Sequence, residues 1–430
     1  MVIDSHYIIS RSKHHVTTTD ISQNALNVLA RLNKAGFQAY LVGGGVRDLL
    51  LRHTPKDFDI ATNATPQNIR TLFRNARIIG RRFKLAHILC HKEIIEVTTF
   101  RGAADTNENQ FANEHGMLVR DNVYGSLEDD AWRRDFTINA LYYHPEDGSI
   151  IDYTGGVNDV NNQCIRIIGD PVTRYQEDPV RMLRAVRFAA KLNFTMEEKT
   201  EKPLFELNTL ISHISGSRLF DEMVKMYQCT AAVKAQALLE HYGLFAHLFP
   251  ATHALLSNDT FPTRALLTFA LESTDRRLGE GKPVNPAFIY AILLWFPLRD
   301  RVDCYIKEGL EPLAALEAAM SHVIRDQNLY VTISKRHAQT IRDIWLMQYR
   351  LPKRLGIRAH QLLKNPRFRA GYDFLALRAL VNDAPMDLAE WWTTFQDASA
   401  DDQAQMIQAL ESAATSSATK KRKKRKKANH

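Results

Sequence analysis

The chain has 430 residues, of which 45% are hydrophobic and 24% are charged, and its formal net charge is +8. This length allows about two to four domains with a large core, and the composition is ordinary for a soluble protein. The segment "KKRKKRKK" at 420–427 carries the whole net charge, so the rest of the chain is formally neutral. The basic character therefore belongs to a tail and not to the folded body.

Cysteine usage and hydropathy exclude several classes of protein. The chain has no CxxC pair, which argues against a zinc site and a disulfide framework and fits a reducing compartment. The N-terminus lacks the apolar core of a signal peptide, and the longest apolar run, "AFIYAILLWF" at 287–296, is too short to span a bilayer. We therefore expect a cytoplasmic protein with no integral membrane segment, in which this run is a core helix.

The first 170 residues alternate between helical and strand patterns. Residues 1–20 are polar and are predicted to be flexible. Apolar spacing predicts a helix at about 21–35 and a strand at 37–42. "GGG" at 43–45 ends that strand, and a helix is predicted over 46–52. "DFDIAT" at 57–62 is the next predicted strand, and Thr65 and Pro66 are typical of an N-cap and a first helical position.

Two hairpins complete this part of the chain. "LAHILC" at 85–90 pairs with "EIIEVTTF" at 93–100, and "INALYYH" at 138–144 pairs with "SIIDYT" at 149–154. The mixture of helices and hairpins predicts an α+β head domain with a mixed β-sheet over 21–170.

From Asp178 onward the strand patterns nearly vanish. "DPVRMLRAVRFAAKL" at 178–192 predicts a helix with Asp178 as its N-cap. We expect an all-α neck at 171–230 and an all-α body at 231–398. The Ala-, Ser- and Asp-rich and then basic composition of 399–430 is typical of a disordered tail.

Two aspartates stand two positions apart in "TPKDFDIATNATP". Because strand side chains alternate between faces, Asp57 and Asp59 are predicted to point the same way. Mg²⁺ prefers carboxylate oxygens, and two metal ions can be bridged by such a pair. Glu96 on a neighbouring strand is the candidate third acid, while Glu93, at the turn, is a weaker choice. The alternative is a solvated strand end without a metal.

A glycine turn precedes this strand by about a dozen residues. "LVGGGVRDLLL" predicts a strand, a turn and a helix start, where a backbone can approach a phosphate closely. It matches neither GxGxxG nor GxxxxGK[ST], so the Rossmann and Walker interpretations fail. A glycine turn alone is weak evidence. Followed by D-x-D, it would place a triphosphate beside the metals.

Five motifs in order resemble the class II nucleotidyltransferases of the polymerase beta superfamily: "LVGGGVRD", "PKDFDIATNATP", "EVTTFRG", "RRDFTINALYY" and "EDPVRMLRAVRFAAKL". This group contains bacterial poly(A) polymerases and CCA-adding tRNA nucleotidyltransferases. The resemblance implies a polymerase-beta-like head. It also implies Mg²⁺, with Mn²⁺ as the alternative metal, and ATP as substrate.

The resemblance also implies roles for matching residues. Asp57 and Asp59 would bind the metal, with Glu96 and Asp135 counted among the catalytic acids. The nucleotide would be bound by Gly43, Gly44, Arg47, Asp48, Arg133, Arg134, Asp178, Arg181 and Arg184. For Asp135 the alternative is a helix cap.

Asp178, Arg181 and Arg184 share one helix face by their spacing of three. Arg181 can donate to the ring acceptor of adenine, and Asp178 can accept from its amino group. Cytosine offers the same pair of groups, so pocket size must contribute to the choice of base. The alternative is that Asp178 only caps the helix and that the arginines form an exposed stripe continuing at Arg187 and Lys191.

The implied reaction is template-independent polyadenylation of RNA 3′ ends with release of pyrophosphate, in mRNA processing and RNA turnover. The alternatives are a CCA-adding enzyme acting on tRNA and an RNA-binding relative without activity; the latter is disfavoured because every charged residue needed is present. The expected partners are RNA 3′ ends and RNA-decay proteins. We expect the tail to attract RNA phosphates or, alternatively, to be only a solvated end. Its basic residues are Lys420, Lys421, Arg422, Lys423, Lys424, Arg425, Lys426 and Lys427.

Arg52, Trp391 and Trp392 are three further residues of note. Arg52 stands where the family usually has a glycine, which leaves the geometry of the loop before Asp57 open. Trp391 and Trp392 have the chemistry to stack on bases, but at helical spacing they are more often core residues.

Overall fold

The computed structural model describes residue 4 and residues 7–80, 84–91, 93–102, 110–112, 118–121, 123–257 and 261–413. The chain divides into two compact units, 1–213 and 214–430. The predicted five-segment division stays a prediction. Among the described residues, no helix combines the length and the hydropathy that a membrane crossing requires.

The first unit contains a mixed sheet of eight strands. The described strands are β1 (Ile8–Ile9), β2 (Ala39–Val42), β3 (Asp59–Thr62), β4 (Ala76–Ile79), β5 (Leu85–Cys90), β6 (Glu93–Thr99), β7 (Gln110–Ala112), β8 (Leu118–Asp121), β9 (Leu141–Tyr143), β10 (Ile150–Asp152), β11 (Cys164–Ile165) and β12 (Thr195–Met196). The order of strands in the large sheet is β1-β10-β9-β2-β3-β6-β5-β4, in which β3 and β6 are parallel and the other neighbours are antiparallel. The mixed sheet and both hairpins predicted from the sequence are confirmed.

Several helices of the first unit begin at a side-chain cap that the sequence supplies. The Thr65 hydroxyl accepts a hydrogen bond from the Asn68 amide, and Pro66 is the first helical residue. The described helices are α1 (Gln23–Lys34), α2 (Gly44–Leu50), α3 (Pro66–Leu72), α4 (Leu127–Arg133), α5 (Gly156–Asn161), α6 (Pro171–Glu177), α7 (Val180–Leu192) and α8 (Glu198–Leu207). Short 3₁₀ turns lie at Arg11–Lys13, Thr18–Asp20, Thr137–Asn139 and Asn208–His213.

Three predictions for this unit are corrected. The N-terminal segment is not loose from residue 7 onward, because β1 pairs with β10 at the sheet edge and Val16 is buried. The glycine turn does not end before the helix begins, because Gly44 and Gly45 are the first two residues of α2. Strand β3 starts at Asp59, so Asp57 lies in the loop before it, where no strand alternation applies.

The second unit is helical throughout its described part. Its helices are α9 (Gly216–Tyr227), α10 (Ala232–His241), α11 (Leu244–Leu248), α12 (Pro250–Ala254), α13 (Thr263–Gly279), α14 (Pro286–Leu293), α15 (Trp295–Lys307), α16 (Pro312–Gln327), α17 (Lys335–Arg350), α18 (Ile357–Leu363), α19 (Phe368–Leu380) and α20 (Met386–Asp397). The apolar run at 287–296 lies buried in α14 and at the start of α15, as expected of a core segment.

The predicted disorder of 399–430 is wrong for 400–413, which form a helix. Ile407 and Met406 pack on an apolar cluster that contains Trp392 and Phe395, and this burial orders a polar-looking segment. Trp392 is fully buried, and Trp391 stacks on Phe395 with ring centroids 4.5 Å apart, so the core interpretation of both tryptophans is confirmed. The basic residues at 420–427 lie outside the described residues.

Candidate active site

The acid pair lies at the start of β3, near the middle of the eight-stranded sheet. Asp59 is the first residue of β3 and pairs in register with Val42 on β2 and with Glu96 on β6. Asp57 is exposed in the preceding loop. The parallel pairing of β3 with β6 therefore brings the predicted third acid beside Asp59.

Asp59 carries an energetic cost when it is ionised. Burial, together with the charges of Glu96 and Asp57, raises its pKa to about 6, and Arg134 opposes this rise. No hydrogen bond from the described part of the chain reaches the Asp59 carboxylate. A partly buried carboxylate beside two others is stabilised when a cation arrives.

Glu96 and Glu93 have different partners. Glu96 Oε1 lies 3.0 Å from His87 Nε2 on the adjacent strand β5, and 44% of the Glu96 side chain is exposed. Glu93 accepts hydrogen bonds from Ser22 and Asn24 at 2.7 Å and so ties β6 to the start of α1. The structure thus uses Glu93 to hold the fold, in line with its being the weaker choice.

Asp57 and Asp59 are suited to a divalent metal as a pair of carboxylates, without forming a complete set of metal ligands. In the described residues, no three His, Cys, Asp or Glu side chains are already gathered as a metal site. Mg²⁺ needs no such cage, because it is usually bound by one or two carboxylates together with water and substrate phosphates. The observation that makes this site suitable for such an ion is that Asp59, beside two other acids, receives no hydrogen bond from the described part of the chain.

The glycine turn joins β2 to α2. Gly43 has φ +77°, and a Cβ there would lie 3.5 Å from Arg134 Nη1. Arg47 is almost fully buried: it donates to Asp48 Oδ1 at 2.6 Å and to Asn139 Oδ1 at 2.6 Å. Arg47 therefore connects the turn to the "RRDFTIN" segment, a link that sequence reasoning did not anticipate.

Arg134 lies over the glycine turn and is held there by two partners. Its guanidinium donates to Asp130 Oδ2 at 3.0 Å and to the Tyr142 hydroxyl at 2.9 Å, and that hydroxyl donates to Asp130 at 2.6 Å. Burial opposes its charge, but Tyr142 and Asp130 hold the pKa of Arg134 above its ordinary value. The side chain is thus a fixed cation within electrostatic reach of Asp59.

Arg133 has different partners from Arg134. It donates to the Gly102 carbonyl oxygen, and burial together with Arg101 and Arg174 lowers its pKa to about 10.

Asp135 is an ion-pair partner within the fold. Its Oδ2 lies 2.5 Å from both Nε and Nη2 of Arg184, and its Oδ1 accepts from the Phe136 amide at 2.9 Å. Burial alone would raise the pKa of Asp135, but Arg184 and the hydrogen bonds lower it to about 2. The described contacts join Asp135 to α7 and not to Asp57 or Asp59.

The candidate base-reading residues lie at the junction of α6 and α7. The prediction that Asp178 is the N-cap of α7 is wrong, because Pro179 occupies that position and Asp178 follows the last residue of α6 as its C-cap. The Asp178 side chain still lies at the start of α7, where the Val180 amide donates to its Oδ1 at 3.3 Å. Arg181 donates to Glu177 Oε2 at 2.9 Å and to the Arg174 carbonyl oxygen at 2.7 Å. Glu177 was missed by sequence reasoning, although its position four residues before Arg181 is typical of a helical ion pair.

This fold and site define a nucleotidyltransferase. A model of the Poly A polymerase head domain matches residues 39–166, a model of the probable RNA and SrmB-binding site of polymerase A matches 193–256, and a model of the polymerase A arginine-rich C-terminus matches 308–428. The chain belongs to the poly(A) polymerase family. It is 47% identical to poly(A) polymerase I of Escherichia coli O157:H7 over 94% of this chain and 89% of that protein.

CCA-adding enzymes are similar over less of the sequence. The enzyme of Bacillus subtilis is 39% identical over 55% of this chain and 59% of its own length. Among solved structures, the Bacillus stearothermophilus CCA-adding enzyme in complex with CTP has a TM-score of 0.55 and 26% identity, covering 86% of this chain and 81% of that one. The two groups therefore share the fold.

Proposed function

We propose that this protein adds AMP from ATP to RNA 3′ ends without a template and releases pyrophosphate. The observation that supports this proposal is the share of the chain over which its sequence is similar to each relative. Poly(A) polymerase I of Escherichia coli matches 94% of the chain, whereas the CCA-adding enzyme of Bacillus subtilis matches 55%. The arginine-rich region at 308–428 also matches a model named for polymerase A.

In this proposal Asp57 and Asp59 bind the metal, with Glu96 as the nearby third acid. The metal is Mg²⁺, with Mn²⁺ as a substitute, and when bound it supplies activation of the RNA 3′-hydroxyl and neutralisation of phosphate charge. The Gly43 turn admits the triphosphate because its backbone is not shielded by side chains. Arg134 presents a fixed positive charge at the same turn, which favours the charged transition state.

Base selection is assigned to Asp178 and Arg181. The contacts of Arg181 with Glu177 and with the Arg174 carbonyl fix the direction of its guanidinium. A guanidinium that cannot rotate presents donors to the base in one orientation, and this favours one pattern of acceptors. The edge of cytosine carries the same pattern as that of adenine, so the size of the pocket decides between them.

The proposal extends to partners and setting. The tail at 420–427 attracts RNA through its phosphates, in a manner that added salt weakens. We place the reaction in the cytoplasm, in mRNA processing and RNA turnover, with RNA-decay proteins as partners.

An extension assay tests the activity. The full chain, the Asp57→Ala, Asp59→Ala double variant and a Glu146→Ala control are incubated with Mg²⁺ and each nucleotide in turn. The substrates are an unstructured RNA and a tRNA that lacks its CCA end. Glu146 is an exposed acid of the same unit, so its loss should leave activity unchanged.

We expect long ladders on the unstructured RNA with ATP alone, present in the control and absent in the double variant. Addition of two C and one A, confined to the tRNA, would replace this proposal with the CCA-adding function. Absence of extension on both RNAs would reject catalysis altogether.

A further inference from the structure

Three guanidinium groups lie over a single aromatic ring in the first unit. The central carbons of Arg187, Arg47 and Arg184 lie 4.5, 5.3 and 5.5 Å from the centroid of the Phe188 ring. The ring itself is buried and packs edge to face against Phe136, with centroids 5.6 Å apart. Its position is therefore fixed by the core.

The three arginines come from different parts of the candidate site. Arg47 follows the glycine turn on α2, and Arg184 and Arg187 lie on α7. Arg47 also bonds Asn139, and Arg184 bonds Asp135, so both reach the "RRDFTIN" segment. Phe188 therefore lies where the glycine turn, the "RRDFTIN" segment and α7 come together.

An aromatic ring and a carboxylate can both hold arginine side chains, but only the carboxylate carries a net charge. A ring face attracts cations through its quadrupole but carries no charge. Asp48 and Asp135 supply two negative charges to this cluster, against three arginines and Lys191, whose Nζ lies 3.9 Å from Asp48 Oδ2. The contacts named here join four cationic side chains of the described residues to two acids.

We propose that Phe188 is a positioning residue that holds Arg47, Arg184 and Arg187 together for the polyphosphate of the incoming nucleotide. The proposal rests on the function proposed above. In it, Phe188 acts through the three arginines around its ring. An acid in the place of this ring would hold the arginines equally well but would cancel part of the charge that attracts phosphate.

The nucleotide is favoured over the RNA backbone as the source of this phosphate. A Cβ at Gly44 would lie 3.4 Å from Arg47 Nη2, so the cluster directly adjoins the turn through which a triphosphate would approach. Inorganic tripolyphosphate carries the same chemistry without a base or ribose. It serves as the probe that separates phosphate binding from base reading.

The test replaces Phe188 in the full chain with mono-, di- and trifluorophenylalanine. Fluorine withdraws electron density from the ring face and weakens its attraction for cations at almost constant volume. The matched control is the same series at Phe73, which is also buried and has Arg31 over its ring at 4.9 Å, outside the cluster. Affinities for ATP, tripolyphosphate and an RNA primer are measured at equilibrium, and kcat and KM in extension assays.

We expect the Kd of ATP and of tripolyphosphate to rise together with each fluorine, reaching about tenfold at the trifluoro variant. The kcat at saturating ATP should change less than about twofold, because the reacting groups are untouched. The Phe73 series should leave both affinities unchanged.

Three results would overturn the proposal. One is that the affinities for ATP and tripolyphosphate do not change along the Phe188 series. Another is that these affinities fall as steeply along the Phe73 series as along the Phe188 series. A third is a rise in the Kd of the RNA primer alone, which would assign the cluster to RNA. A wild-type protein that extends no RNA but still shows fluorine-dependent tripolyphosphate binding would reject the proposed function and leave only the phosphate-binding role of the cluster.

Discussion

The ion pair between Asp135 and Arg184 offers a quantitative test of how α7 is joined to the sheet. The perturbations are Asp135→Asn, Arg184→Gln and the double variant. The pKa of Asp135 falls from 3.8 to about 2, a shift that corresponds to about 2–3 kcal/mol of folding stability at neutral pH. Only 12% of this side chain is exposed, so solvent screens the pair little.

The sign of the pH dependence follows from the depressed pKa. The contribution is fully present above about pH 4, the unfolded value, and is lost as the pH falls toward 2. Each single variant should lose about 2–3 kcal/mol at pH 7, because the remaining charge or amide is left without its partner. The double variant should lose less than the sum of the two by about 2 kcal/mol.

The assay must report on the first unit alone, since the chain has two. Hydrogen exchange of the slowest amides in β2 and β9, followed by mass spectrometry between pH 3 and 7, gives the opening free energy of that unit. Glu146→Gln, at an exposed acid, is the control and should change it by less than about 0.5 kcal/mol. Additive losses in the double variant would refute the reasoning. The same pH slope in Asp135→Asn as in the wild type would also refute it.

Three further changes are expected to alter stability in defined directions. Burial and neighbouring acids raise the pKa of Asp59 to about 6, so the metal-free fold loses stability as the pH rises from about 4 to about 6, and the loss is complete above that value. Asp59→Asn in EDTA should therefore be about 1–3 kcal/mol more stable than the wild type at pH 7.5 in thermal unfolding, and the difference should vanish below pH 4; a less stable variant at pH 7.5 would contradict this. Arg52 occupies a left-handed conformation with φ +60°, so Arg52→Gly should stabilise the protein by about 0.5–1 kcal/mol in denaturant unfolding, and a loss of stability would show that the Arg52 side chain has a compensating contact. Ile407→Ala should cost the second unit about 2 kcal/mol, measured by exchange of α17 and α20 amides, and a cost below about 0.5 kcal/mol would mean that the 400–413 helix is not part of that core.

Arg52 also shows how a departure from a family pattern is accommodated. The sequence left open whether the turn manages without glycine or the helix runs further. In the structure α2 ends at Leu50 and Arg52 itself adopts the left-handed conformation that glycine adopts at little cost. The loop that leads to Asp57 is thus kept at the expense of local backbone strain.

The sequence by itself determined the features that depend on short-range rules. Caps such as Thr65, the helical period of α7 and the alternation of β5 and β6 are set by hydrogen bonds and side-chain contacts within a few residues. The ordered motifs indicated the family, and the comparisons confirm it.

Only the tertiary structure decided which of these residues meet. Asp135 and Arg184 are 49 positions apart, and Arg47 reaches Asn139 across 92. No periodicity connects such distant positions, because their contacts depend on how the helices pack against the sheet. The same is true of the 400–413 helix, whose composition resembles that of a disordered segment but whose few apolar side chains are buried against a core formed by other helices.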